Sequence, residues 1–248
     1  MTSLKGRTAL VTGGAGGIGR AIARHLAQAG AKVAVCDMNL EGARAVAAEL
    51  GPEHAAFAMN IADSAMVKEA TAAVEATLGP VDILVNNAGI DKIEQFVDSA
   101  EDTWRQVVDV NYLGTVIVTR AVLDGMIERQ YGRIVNIASD AGRVGSSGEV
   151  VYSGTKGAVI AFAKALARET AAKGITVNAV CPGPTDTALL DQVADLSQKL
   201  YDSLARAIPM RRIGTPDDVA PAVVFLAGDG AAFITGQTLS VSGGLTMA

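Results

Sequence analysis

The chain has 248 residues, half of them hydrophobic and 4% aromatic, with 21 Lys and Arg against 26 Asp and Glu for a net charge of −5. That apolar content excludes a disordered chain, no apolar run of the ~20 residues needed for a membrane span stands out, and a pI near 5.1 with no Lys/Arg block excludes a nucleic-acid binder. Two Cys exclude a disulfide framework, and Met1–Ala9 lacks an apolar leader stretch, so a cytoplasmic chain with buried, reduced Cys36 and Cys181 is expected.

The chain reads as strand, turn and helix, repeated. Thr8–Thr12 is a strand ending in glycines. Gly17–Ala29 is a helix with Ile18, Ile22 and Leu26 on one face, closed by Gly30. Lys32–Asp37 is the second strand, and Leu40–Leu50 a helix stopped by Gly51 and Pro52. His54–Met59 is the third strand. Asp63 or Ser64 caps a helix to Leu78, and Val81–Val85 is the fourth strand, leading into Asn86-Asn87-Ala88-Gly89. One long helix is predicted over Asp102–Arg129, then a strand over Gly132–Ala138 and a helix over Val151–Ala172. Ile175–Cys181 is a strand before Pro182, Gly183 and Pro184. Residues Thr185–Ala207 turn helical late, Thr215–Asp218 opens a helix to about Ala227, and Gln237–Val241 is the last strand. Seven continuous apolar strands alternating with helices require a parallel sheet covered on both faces. With no linker or repeat, residues 1–248 form one doubly wound (Rossmann) α/β domain.

The first strand runs into a turn that holds Gly13, Gly16, Gly17 and Gly19 and opens a helix. Missing side chains let backbone N–H groups and the positive helix end approach a pyrophosphate. Asp37 ends the second strand, 18 residues past Gly19, where a carboxylate accepts from ribose hydroxyls. A 2′-phosphate there would meet a like charge, and the turn, with Ala15 and Gly16, offers no cation. NAD is therefore expected rather than NADP. Neither His25 nor His54 has metal-ligand spacing with a Cys or carboxylate pair, so no metal is expected.

Tyr152 and Lys156 are four apart at the start of a helix, hence on one face. A phenol with pKa near 10 needs nearby positive charge to act as a base at neutral pH. Ser139 ends a strand 13 residues before Tyr152, and its hydroxyl can bind a substrate oxygen. Asn111 sits mid-helix, where its side chain binds a backbone carbonyl or an ordered water.

These residues, with Thr12–Gly19, Asn86–Gly89, Tyr152–Lys156 and Asn178–Thr187, closely resemble the short-chain dehydrogenase/reductase family over the whole chain. Within it, Gly132–Glu149, Cys181–Leu190 and Ser240–Met247 most resemble 2-hydroxycyclohexanecarboxyl-CoA dehydrogenases. The resemblance implies an NAD-dependent oxidoreductase interconverting a secondary alcohol and a ketone, and a homotetramer. It implies Tyr152 as general acid/base, Lys156 as its electrostatic partner on the nicotinamide ribose, Ser139 on the substrate oxygen and Asn111 holding a water in a proton relay. Cofactor contacts follow for Gly13, Ala15, Gly16, Gly17, Ile18, Gly19, Asp37 and Met38. Asn60 and Ile61 would meet the adenine, Asn60 replacing the family's usual acid. Asn87, Ala88 and Gly89 would line the ribose side, and Pro182, Gly183, Thr185 and Thr187 would hold the carboxamide.

The substrate, an alcohol or ketone and by resemblance a CoA thioester, would meet Ser139, Arg143, Ser146, Glu149, Tyr152 and Leu189. Arg143 is either a surface charge or a partner for an anionic group. Residues 185–208 form either a packed helix or a lid over the pocket. The rival readings are a 3-oxoacyl-(acyl-carrier-protein) reductase, which usually goes with NADPH and a basic residue in the glycine turn, and a non-catalytic dinucleotide sensor.

Overall fold

A computed structural model describes residues 2–187, 190 and 198–247 of the chain. Leu189 and most of the expected lid, including Asp191, Val193 and Leu196, lie outside the described residues. Seven strands form one parallel sheet: β1 (Thr8–Thr12), β2 (Lys32–Asp37), β3 (Ala55–Ala58), β4 (Ile83–Asn86), β5 (Gly132–Ile137), β6 (Ile175–Pro182) and β7 (Thr238–Val241). Their order is β3-β2-β1-β4-β5-β6-β7. The helices are α1 (Gly17–Gln28), α2 (Leu40–Leu50), α3 (Ser64–Leu78), α4 (Glu101–Val108), α5 (Thr115–Glu128), α6 (Ala141–Val144), α7 (Val150–Thr170), α8 (Gln198–Ala207) and α9 (Pro216–Ala227).

Successive strand residues point to opposite faces, so one apolar strand feeds two cores. Leu10, Leu84, Ile134 and Val177 pack with Val67 of α3, Val118 and Met126 of α5 and Val159 of α7. Val11, Val33, Val85 and Val135 pack with Ile22 and Leu26 of α1, Val46 of α2 and Val223 of α9. The doubly wound fold read from the sequence is therefore the observed one. Cys36 and Cys181 are free, buried thiols, and burial pushes both up from the ordinary thiol range.

Most boundaries shift by a residue or two, as β3 does (Ala55–Ala58 against His54–Met59), and two differences carry a physical reason. β4 starts at Ile83, and just before it the Asp82 side chain turns to the start of β1, its Oδ2 accepting from the Thr8 backbone N–H at 3.2 Å. The helix expected over 102–129 is divided by a π-helical turn, Asp109–Gly114. Asn111 causes the division. Its Oδ1 accepts from Ile90 N at 2.8 Å, and its Nδ2 donates to Ile90 O at 2.8 Å. The wider turn brings this amide to the loop after β4. A β-carbon at Gly114 would lie 2.7 Å from the Ile61 side chain, so the turn is also tightly packed. Glu101–Glu128 is the one stretch among the described residues long and apolar enough to cross a membrane. Its Val118, Val122 and Met126 lie in the sheet core instead, and an Arg120–Asp124 pair at 2.8 Å sits on its outer side.

α9 opens where Pro216 predicts it. Asp218 Oδ2 accepts from Thr215 N at 2.7 Å and from Thr215 Oγ at 2.9 Å. The Arg212 guanidinium bonds both carboxylate oxygens at 2.6 Å. These donors hold the Asp218 carboxyl well below the usual carboxylate range. A depressed folded pKa gives stability that is full above the unfolded value near 4 and is lost as pH falls below it. Asp218→Asn is expected to lower Tm at pH 7 by about 2–4 °C, for a lost cap of about 1 kcal/mol. The gap to wild type should shrink in melts below pH 4, whereas a constant gap would contradict this assignment.

Candidate active site

The carboxyl ends of β1, β4, β5 and β6 open into two connected clefts at the point where the strand order reverses between β1 and β4. The larger, of about 930 Å³, is lined by Gly13, Gly16, Gly17, Ile18, Asp37, Met38, Asn60 and Ile61 and by Asn87, Ala88 and Gly89. Two expected contacts, Ala15 and Gly19, do not line it. Ala15 donates its N–H to Asp37 Oδ2 at 3.0 Å and so orients that carboxylate, while Asn39 N bonds Oδ1 at 2.9 Å. Gly19 is buried under the turn, where a β-carbon would lie 2.5 Å from Asn87 Nδ2. It lets helix and turn approach each other. Asn87 Nδ2 donates to Thr12 O at 3.0 Å and Gly13 O at 3.1 Å, bracing the turn from below.

A dinucleotide fits this cleft. α1 has no side-chain cap and no acid in its first turn, so its N-terminal N–H groups and positive end remain for an anion. Asp37 stands at the far wall. Asn60 Oδ1 accepts from Ala62 N at 3.1 Å, and Asp63 caps α3 through Ala65 N and Met66 N. Sequence reasoning missed Arg105, on the rim of the cleft. Its guanidinium is bonded to Glu101 of the same helix.

The second cleft, of about 650 Å³, collects Ser139, Ser146, Glu149, Tyr152, Lys156, Pro182, Gly183, Thr185 and Thr187. β5 delivers Ser139, and the first turns of α7 deliver Tyr152 and Lys156 one above the other. The Tyr152 hydroxyl faces Ser139, which favours its ionised form, and Ser139 Oγ accepts from Ala141 N at 3.1 Å. Lys156 Nζ donates to Ile137 O at 2.9 Å and lies 5.5 Å from the Tyr152 ring centroid. A β-carbon at Gly89 would sit 3.3 Å from Lys156 Nζ and 3.2 Å from Asn111 Oδ1, so the glycine leaves those groups room. The Asn111 amide is spent on Ile90 and, at 3.3 Å, on Thr155 Oγ1. Of the two partners open from sequence, the side chain takes the backbone carbonyl.

In the protein alone, burial dominates and raises the Tyr152 phenol, with Ser139 acting against it. Burial likewise lowers the Lys156 ammonium to about 8. Arg143 is engaged within the protein. Its Nη1 donates to Ser240 Oγ at 2.6 Å, Ser240 in turn bonds Asp140, and the guanidinium does not line the cleft. Leu245 and Thr246 do line it. Their residue types carry no signal that places a C-terminal segment in the wall. Among the described residues, no three His, Cys, Asp or Glu side chains group to hold a metal ion.

A family model described as enoyl-(acyl carrier protein) reductase matches residues 13–246. Nodulation protein G of Rhizobium sp. (strain N33) is 44% identical over 247 residues, covering all of both chains. Acetoacetyl-CoA reductase of Shinella zoogloeoides is 45% identical over 239 residues, 96% of this chain and 98% of its own. 3-Oxoacyl-(acyl-carrier-protein) reductase of Escherichia coli (strain K12) is 39% identical over 245 residues, 99% of each. Fold and clefts define an oxidoreductase of the kind that binds a nicotinamide dinucleotide. The chain belongs to the short-chain dehydrogenase/reductase family.

Proposed function

We propose that the protein is an NAD-dependent enzyme that interconverts a secondary alcohol and a ketone on an acyl thioester. The observation that carries this reading is the grouping of Ser139, Tyr152 and Lys156 at the floor of one cleft that opens into the other. The nicotinamide, when bound, supplies the acceptor or donor of hydride. The Tyr152 hydroxyl takes or returns the proton of the substrate oxygen. Ser139 Oγ holds that oxygen by hydrogen bond. Lys156 favours the phenolate while charged, and Asn111 sets the geometry of the loop at Gly89. In this reading the relay water sits at Asn111, whose main-chain carbonyl also accepts from Thr115 Oγ1 at 3.1 Å. Pro182, Gly183, Thr185 and Thr187 hold the carboxamide side. Ser146 and Glu149 shape the substrate side.

NAD rather than NADP rests on Asp37, whose two oxygens are fixed toward the cleft by Ala15 and Asn39. A 2′-phosphate would meet that fixed charge, and among the described residues the one Lys or Arg lining this cleft, Arg105, is bonded to Glu101. NADH is expected to exceed NADPH in kcat/KM by about 100-fold, and Asp37→Ala to narrow the gap at least about tenfold. Equal values in wild type would overturn the choice.

The thioester class draws on the acetoacetyl-CoA and 3-oxoacyl-(acyl-carrier-protein) reductases among the relatives. The particular thioester favoured by sequence resemblance is 2-hydroxycyclohexanecarboxyl-CoA. Reduction of a 3-oxoacyl-carrier-protein is the second reading, supported by the 39% identical relative. A cofactor-reduction screen over hydroxyacyl-CoAs, hydroxyacyl-carrier-proteins and simple secondary alcohols tests both. Turnover confined to simple alcohols would overturn the thioester class. The exposed Val108 and Leu113 beside α5 and Val150 of α7 are offered as contacts of a homotetramer.

A further inference from the structure

Asp91 follows the Asn86–Gly89 run, and Glu149 immediately precedes α7. Distant in sequence, they line one small crevice beside Tyr152, where the two carboxyl groups face each other. Asp91 Oδ1 accepts from Lys92 N at 2.8 Å. Asp91 Oδ2 is shut off from solvent and faces no N–H or O–H donor. A carboxylate only accepts hydrogen bonds, so two ionised carboxylates cannot bond each other, and one proton between them resolves the contact.

The surroundings agree. The charged groups acting on Asp91 are Glu149 and, more weakly, the Lys156 ammonium, which is itself bonded to Ile137 O. The Lys92 ammonium is drawn away to Glu94 at 2.8 Å. α4 brings only Thr103, Trp104 and Val107 to the crevice around Asp91, and α7 brings Tyr152. Burial and Glu149 together push the Asp91 carboxyl up to about 8. Asp91 Oδ2, shut off from solvent with no donor facing it, keeps the proton. Glu149 lines the same cleft as Ser139 and Tyr152. Both acids also oppose ionisation of the Tyr152 phenol.

We propose that Asp91 and Glu149 share a single proton and act as the specificity element of the substrate cleft, the retained negative charge excluding a free carboxylate next to the reacting carbon and admitting the same hydroxy acid as an uncharged ester or thioester. This rests on the alcohol–ketone reading above and narrows its substrate class. The residues act by charge on the flank of the substrate, and the reacting oxygen stays with Tyr152 and Ser139.

The test has two arms on the full chain. Infrared difference spectra of wild type against Asp91→Asn read the proton directly, with no substrate present. A protonated carboxyl band at pH 7 that titrates away near pH 8 and is missing in Asp91→Asn is expected. Its absence from wild type overturns the proposal. The second arm compares ethyl 3-hydroxybutyrate with 3-hydroxybutyrate in wild type, Glu149→Gln and the double variant Asp91→Asn/Glu149→Gln. Binding by calorimetry and kcat/KM are both read. Wild type should favour the ester by about 100-fold, and Glu149→Gln should narrow that ratio at least about tenfold, chiefly through KM for the acid. An unchanged ratio in both variants overturns the proposal. If wild type binds the ester over the acid yet oxidises neither, the alcohol–ketone reading fails while the charge element stands.

Discussion

Replacing Tyr152 with Phe is expected to lower kcat for alcohol oxidation by about a thousandfold, within the range that a positioned acid/base contributes, while dinucleotide affinity and Tm stay at wild-type values. Only the hydroxyl is removed. The ring that packs 5.5 Å from Lys156 Nζ remains, as does the Lys156 bond to Ile137 O. The residue is half-buried and its hydroxyl faces Ser139 in the cleft, so no core contact is lost. Steady-state kinetics with fluorescence titration of NADH would check both halves. Retained turnover would remove Tyr152 from the chemistry. Loss of turnover together with cofactor affinity would make it a structural residue. Because burial raises this phenol, it must lose its proton against its surroundings. Wild-type oxidation should therefore speed up with rising pH, and Tyr152→Phe should lose that slope.

How far such a site is legible in sequence depends on the range of the interactions that build it. The strands are local facts: apolar runs such as Thr8–Thr12 and Ile175–Pro182 are buried throughout, and no other environment would leave them unalternated. Tyr152 and Lys156 are local too, since a four-residue step along a helix fixes their common face. Asp37 and the glycine turn are one strand apart, and β1 pairs with β2 directly.

Long-range encounters were not legible. Arg143 sits close to Ser139 in sequence, yet its guanidinium closes on Ser240 of β7. Spacing along the chain says nothing of a strand that arrives last. Asp91 carried no mark of its own, because its meaning depends on Glu149, which reaches it only through the packing of α7. The π turn at Asp109–Gly114 was hidden for a related reason. Hydrophobic periodicity barely changes across one wide turn, and the bond that widens it runs to Ile90, on another segment.

The glycine turn separates room for a ligand from room for the protein itself. Gly19→Ala is expected to abolish measurable dinucleotide binding and to lower Tm by about 4–10 °C, the cost of overpacking a tight contact. Its β-carbon would overlap the Gly13 carbonyl oxygen, lie 2.8 Å from the Gly13 carbonyl carbon and push into the Asn87 amide. None of these can yield cheaply. Gly13 already has φ +64 at the turn, and Asn87 holds Thr12 and Gly13 by the bonds that shape the cleft. Gly16→Ala is the contrasting case. Gly16 has extended backbone that any residue adopts, nothing lies within 4 Å of a β-carbon there, and the residue faces the cleft. Its added methyl should leave Tm unchanged and weaken the dinucleotide alone, by steric conflict with the anion at the start of α1. Thermal melts paired with NADH titration separate the two. Equal Tm losses would mean that the turn responds as one unit. A stable Gly19→Ala with normal affinity would mean that the close approach of α1 to the turn has no part in binding.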